Sequence, residues 1–180
     1  MVSEGGLVKA MNKAYGGTAG YTVAMVGNLL YIQTEEWEVL IRMEKLPRKA
    51  LALIVEHIGS IPKDGEAYKC SKKGGAQLVA VRVLREQMQE LMEFEPEKEI
   101  VKTNFLWEGN EVWQEADTLG IVGLRPEYTG IIDKKESGTA YRCWQSVLWE
   151  DGARVRIGGA RLPPAVVQHL SAVRWIGGKD

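Results

Sequence analysis

The stretch from Leu46 to Ile58, LPRKALALIVEHI, decides what kind of fold this chain can build. Pro47 fixes φ near the helical value where the N–H has no helical acceptor to lose, so a helix is predicted to begin there. Ala50, Leu51, Ile54 and Ile58 recur at the interval that lines one helical face. Leu53 and Val55 widen that stripe, while Arg48, Lys49 and Glu56 fall mostly elsewhere. Gly59 suits the left-handed position that closes a helix, and Pro62 prevents resumption. Just upstream, Trp37, Val39, Ile41 and Met43 alternate with Glu38, Leu40, Arg42 and Glu44, the pattern of a strand with one dry and one largely wet face. The helix is expected to cover the dry face.

An echo lies near the C-terminus. In Arg161 to Val173, RLPPAVVQHLSAV, Leu162-Pro163 again precedes an apolar run with Val166, Val167, Leu170 and Val173. Each copy follows a strand-like segment, Trp37 to Met43 and Ala153 to Ile157, and further upstream each has a small residue before tyrosine, Gly20-Tyr21 and Ala140-Tyr141. The reading is a strand-strand-helix unit used twice, which gives the fold internal pseudo-symmetry. Leu-Pro before a helix is also common punctuation, and that alternative stays open here.

The other segments follow from the same periodicities. Leu7 to Tyr15 reads as a short helix ended by Gly16-Gly17, and Tyr21 to Val26 and Leu29 to Gln33 as strands meeting at Gly27-Asn28. Ala67 to Ser71 and Ala76 to Val81 flank the tip Lys72-Lys73-Gly74-Gly75, whose lysines are either a solvated turn or a phosphate contact. Val83 to Phe94 reads as a helix with Val83, Leu84, Met88, Leu91 and Met92 on its apolar side. Strands are expected at Lys98 to Trp107, Asn110 to Ala116, Leu119 to Leu124, Gly130 to Asp133, Ala140 to Trp149 and Ala153 to Ile157. The fold class is therefore α+β, an antiparallel sheet packed with about four helices, in one domain over 1–180 with sub-halves 1–94 and 95–180.

Composition excludes more than it assigns. With 180 residues, 45% hydrophobic and 26% charged, the chain is long enough for a sizeable core. A net charge of -1 leaves no global field to attract nucleic acid or an anionic membrane. No apolar run is long enough to span a bilayer and the N-terminal stretch lacks the core of a secretory signal, so a soluble, cytoplasmic protein is expected. Cys70 and Cys143 read as two buried thiols, without a disulfide or metal site. Phosphate-binding, dinucleotide, zinc-protease and nucleophile-elbow motifs are absent. His57 and His169 fall on the two echoing helices at non-equivalent positions, and Cys143 sits beside Arg142. No cofactor, metal or catalytic group is assigned.

Charge distribution carries the functional reading. From Glu93 to Asp117 there are eight acidic residues, Glu93, Glu95, Glu97, Glu99, Glu108, Glu111, Glu115 and Asp117, against Lys98 and Lys102, a net of -6. From Gly152 to Asp180 five basic residues, Arg154, Arg156, Arg161, Arg174 and Lys179, against Asp180 give +4. The acidic stretch is suited to compete with nucleic acid for a basic channel, or it is simply a soluble helix end. Arg154 and Arg156 share one strand face, and with Arg142, Trp144, Trp149 or Trp175 form either a cation-aromatic contact surface or the ordinary wet face of a sheet. Candidate partner-binding residues are Glu93, Glu95, Glu97, Glu99, Arg142, Trp149, Arg154, Arg156 and Arg161.

The segments LVKAMNKAYGGTAGYTV and EWEVLIRMEKLPRKALALIVEHIGSIPKDGEAYKC resemble small proteins carried by prophages and conjugative elements of gut Firmicutes, some of which inhibit type II CRISPR effectors. The resemblance spans roughly the first 75 residues, rests on general texture and transfers no functional residue. It implies a non-enzymatic protein that binds a host nuclease such as Cas9, alone or with its guide RNA, and blocks DNA engagement. The alternative is a nucleic-acid-binding or clamp-like accessory module in phage replication or transcription. The clamp comparison is an analogy of element order only.

Overall fold

Two strands far apart in sequence make the central seam. In the computed structural model, which describes residues 2–133 and 138–174, Trp37–Arg42 (β3) pairs antiparallel with Ala153–Gly158 (β11), Val39 facing Val155. On one side of the seam β3 continues a meander through Leu29–Gln33 (β2) and Tyr21–Val26 (β1) to Ala67–Ser71 (β4) and Gly75–Leu78 (β5). On the other, β11 continues through Ser146–Glu150 (β10) to Ala140–Cys143 (β9). All neighbours in this eight-stranded sheet are antiparallel. The fold is α+β, with four helices of seven or more residues among the described residues.

The echo in the sequence falls on two strands that pair with each other: Leu46 follows Val39 by seven residues and Leu162 follows Val155 by seven, and the two valines are directly opposed. Each unit is a three-stranded meander leading to a helix, one strand more than the sequence reading allowed. The reason is the pair β9 and β10: Ala140 to Trp149 was expected to be one strand, and the chain reverses at Trp144-Gln145. That turn has neither Gly nor Asn, and Trp144 itself takes the left-handed conformation at φ 52.

The helices form two layers about the sheet. Glu4–Gly16 (α1) and Arg48–Ile58 (α2) lie on one face, where Leu7, Met11, Ala50, Leu53 and Ile54 pack with Val23, Ile32, Val39, Ile41, Val155 and Ile157. Pro47 caps α2 from just outside, and Gly59 closes it at φ 88. Gly6 permits α1 its close approach, since a Cβ there would stand 1.7 Å from the carbonyl oxygen of Gly130. Val81–Glu93 (α3) covers the opposite face through Leu84, Met88 and Leu91, which meet Ala24, Tyr31, Leu40, Ala67, Cys143 and Leu148. The face read as wet is therefore dry at its centre, and Leu40 is buried because α3 crosses it. Val83 and Met92, expected on the apolar side of α3, are exposed.

A second, three-stranded sheet joins Ile100–Trp107 (β6), Asn110–Glu115 (β7) and Ile121–Leu124 (β8). Backbone contacts tie it to the large sheet at both margins: Arg142 N donates to Lys98 O at 2.7 Å beside β9, and Ala160 N to Gly123 O at 2.7 Å after β11. Strands β9, β10, β11, β8, β7 and β6 thus lie on a closed circuit of hydrogen bonds. Gly130 to Asp133, expected as a strand, follows the short helix Pro126–Thr129 (α4) and contributes only an isolated bridge from Ile132 to Val2. Pro126 starts that turn and takes the segment out of extended geometry. The last described helix, Pro164–Ser171 (α5), buries Leu170 against Val112 and Ile121, so it packs on the small sheet where its counterpart α2 packs on the large one. Among the described residues no helix is long and apolar enough to cross a membrane.

This packing separates two valine- and isoleucine-type positions that periodicity alone treats alike. Ile54→Ala, at a fully buried site, is expected to cost about 2–5 kcal/mol, whereas Val83→Ala at 59% exposure should stay within about 0.5 kcal/mol; urea denaturation of the two variants measures both.

Candidate partner-binding surface

Helix α3 organises the surface, and its charges run against its own dipole. Arg82 and Arg85 stand in or beside the first turn, Glu90 and Glu93 in the last, and neither end has a side-chain cap of its own. Cations at a helix N-terminus and anions at its C-terminus are each unfavourable by about 0.3–1 kcal/mol at exposed sites. The C-terminal end is rescued from β11. Arg154 Nη1 donates to the carbonyl oxygens of Leu91 at 2.6 Å, Met92 at 2.6 Å and Phe94 at 3.1 Å, while its Nη2 meets Glu150 Oε1 at 3.0 Å. One guanidinium therefore supplies the charge and the donors that the last turn lacks.

Arg156, two residues along the same strand face, makes a second internal lock. Its Nη2 donates to Glu38 Oε1 at 2.7 Å across the seam, and its Nη1 lies 3.6 Å from Glu90 on α3. Burial alone would lower the Arg156 pKa, and the hydrogen bond and charge of Glu38 reverse that, raising it above its ordinary value. The guanidinium also stands 5.8 Å from the Trp144 ring, which in turn meets Phe94 at 5.6 Å. Arg142 is likewise engaged. It donates from Nε to Trp144 O and from Nη1 to Ile121 O at 3.0 Å, and lies 3.8 Å from Glu115.

The nine candidate residues accordingly divide. Arg142, Arg154 and Arg156 are part-buried structural cations: Arg154 and Arg156 share the strand face that α3 covers, whereas Arg142, opposite Val147, lies on the other face and reaches Glu115 and Ile121 of the small sheet. Trp149 is a core residue, packed edge-on against Trp113 at 5.3 Å, and is no surface anchor. Arg161 is exposed and lines a cleft of about 430 Å³ with Arg142, Gln145, Leu162 and Val167. Trp175, grouped with these arginines in the sequence, lies outside the described residues. Glu93, Glu95, Glu97 and Glu99 are all exposed. Gln89 binds Glu93 at 2.7 Å; Glu95, Glu97 and Glu99 make no salt bridge among the described residues.

Geometry brings the acidic linker beside an aromatic anchor. Phe94, Glu95, Glu97, Lys98, Glu115, Arg142 and Trp144 line one cleft of about 470 Å³. Trp144, 61% exposed, is held by its left-handed turn and by contacts with Phe94 and Arg156. The sequence reading included Trp144 only as a neighbour of the arginines; the polar break Trp144-Gln145-Ser146 between the apolar positions of β9 and β10 is the signal that marks it as a turn tip.

Elsewhere the reactive residue types are in structural settings. Burial pushes the Cys70 thiol up to about 11 and raises that of Cys143, the opposite of nucleophile activation. His169 is exposed on α5. His57 on α2 stacks on Tyr15 at 3.6 Å and shares a 2.8 Å hydrogen bond from its Nδ1 with the buried Tyr21 hydroxyl. Among the described residues no group of three or more His, Cys, Asp and Glu is placed to hold a metal.

Two measurements follow from these contacts. Arg154→Met, which keeps the stem but strips the donors from three carbonyls, should cost about 1–3 kcal/mol and raise amide exchange selectively in the last turn of α3. Desolvation lowers the His57 pKa below its ordinary 6.5, so the unfolded chain takes up the proton first. Its contribution is complete above pH 6.5 and is lost as pH falls from there through the lower, folded-state value; the difference in urea midpoint between wild type and His57→Asn should shrink over that window and level off below it.

The chain matches no described protein family, no curated protein sequence and no solved structure.

Proposed function

We propose that this chain is a non-enzymatic binding protein whose acidic ledge, Glu93 to Glu99 with Trp144, occupies a basic surface that its partner otherwise offers to nucleic acid. The observation that carries this reading is the combination of exposed carboxylates at Glu95 and Glu97, without an ion pair among the described residues, with the exposed Trp144 at the same cleft. Carboxylates steer encounter with a cationic partner, and a tryptophan of fixed orientation supplies apolar contact at little entropic cost. The resemblance to small prophage and mobile-element proteins supports, as that partner, a host defence nuclease of the type II CRISPR class, such as Cas9 alone or with guide RNA, whose DNA engagement the ledge would obstruct.

The alternative, a nucleic-acid-binding or clamp-like module resting on Arg154 and Arg156, has less support. Both guanidiniums are committed to α3 and to Glu38, Glu90 and Glu150. Freeing either for phosphate would expose the helix end it caps or the carboxylates it neutralises.

Gel filtration with a Cas9-type effector and its guide RNA at micromolar concentration should give a stoichiometric complex. The charge-reversed Glu95→Lys/Glu97→Lys variant should lose it at moderate salt, and Trp144→Ala should weaken it at least tenfold. Failure of the wild type to co-elute removes that partner, and a complex indifferent to both variants removes the ledge.

A further inference from the structure

The opposite end of α3 carries a surface that this reading does not use. Strand β5 closes the large sheet, and all four of its residues, Gly75 to Leu78, are exposed. The sheet's other margin, β9, is covered by Lys98 and Glu99. Beyond β5 no strand pairs among the described residues. Val79 N donates inward to Ala67 O at 2.9 Å, so by the two-residue period of a strand Ala76 and Leu78 turn their N–H and C=O groups outward. Edge strands in native proteins are ordinarily blunted by charge, proline or a bulge. The segment Gly-Ala-Gln-Leu has no charge or proline, and its register with β4 runs without a shift.

Cations surround this open edge. Lys72 and Lys73 form the hairpin tip before it, Lys69 faces Gln77 across the β4–β5 pair, and Arg82 and Arg85 follow at the start of α3, all exposed. Of these only Arg82 has an ion pair among the described residues, with Glu86 at 3.7 Å, and both partners are solvated. The acidic groups just before the hairpin are occupied: Asp64 accepts from Gly27 N, and Glu66 from Lys63 N and the Tyr68 hydroxyl. Leu78, 69% exposed, and Val83 add apolar contact area at the same margin.

We infer that the β5 edge, with its rim of Lys69, Lys72, Lys73, Arg82 and Arg85, binds an acidic polypeptide segment that adds to the sheet as a further strand. A strand edge presents alternating donors and acceptors, which match another polypeptide backbone; a phosphate chain has acceptors only and leaves the outward carbonyls unmet. The rim cations select acidic side chains on the incoming strand, and Leu78, which lies opposite Tyr68 on the other face of the sheet, takes its apolar ones. The segment that fits alternates acidic and β-branched residues. This inference stands independently of the ledge at Glu93 to Glu99.

A fluorescein-labelled decapeptide of alternating glutamate and valine, followed by anisotropy, is the probe, with labelled single-stranded oligothymidine as the second arm. The peptide should bind wild type and bind at least tenfold more weakly to Ala76→Pro, which removes one outward donor without touching the β4 ladder, and to Lys72→Glu/Lys73→Glu. The same peptide N-methylated at alternate residues should lose binding to the wild type, a readout that needs no variant to fold. Absence of peptide binding, equal binding of the methylated peptide, or oligothymidine that displaces the peptide overturns the inference. So does a dimer in sedimentation that Ala76→Pro abolishes, because the edge is then filled by a second copy.

Discussion

The pairing of β3 with β11 is the contact on which the other features depend. It joins residues over a hundred positions apart and makes one sheet out of two meanders. Its register brings Arg156 opposite Glu38 and Arg154 opposite Leu40. Those two arginines then reach across the face and hold α3: Arg156 through Glu90, Arg154 through three terminal carbonyls. A slip of one residue would turn both guanidiniums to the α1 and α2 face, where the surroundings are apolar. Register, helix docking and charge neutralisation are therefore one constraint expressed three times.

That constraint explains how α3 tolerates its charge pattern. The helix is amphipathic and buries Leu84, Met88 and Leu91, but its arginines and glutamates sit at the ends where the peptide dipoles disfavour them. Exchanging the two sets would suit the dipole of an isolated helix, but here it would break the Arg156–Glu90 pair and set cations beside Arg154. The arrangement instead concentrates positive charge beside the open β5 edge and negative charge beside Trp144. Stability yielded at exposed positions, with compensation imported from another element, is the pattern expected where surface charge serves recognition.

Most of the elements were legible in the sequence because periodicity there reflects packing directly. α2 and the β1–β2 hairpin follow from apolar spacing, capping glycine and turn residues. The β9–β10 reversal was hidden because its turn uses Trp144 in a conformation that local propensity disfavours, held by the tertiary contacts with Phe94 and Arg156. The wet face of β3 was misread for a related reason: Leu40 between Glu38 and Arg42 looks like an isolated exposed apolar residue until α3 is laid over it. Of the site, the acidic residues about the end of α3 were legible as exposed because carboxylates outnumber cations there, with only Lys98 and Lys102 set against eight acids. The arginines were not, since whether a guanidinium faces water or a helix end depends on a partner some sixty positions away.

The separation of the two charged ends follows from α3 itself. Its 13 residues span about 20 Å of helix, and its ends are fixed to different parts of the same sheet, so the basic rim and the acidic ledge keep a set distance and orientation. At physiological salt the interaction between exposed charges decays over about 8 Å, so the two surfaces present separate local fields instead of cancelling. A near-neutral net charge is thus no argument against electrostatic recognition in this molecule. What cancels in the sum over the sequence is kept apart in space by one rigid helix, and the arginines that would have blurred the division are drawn inside to hold that helix in place.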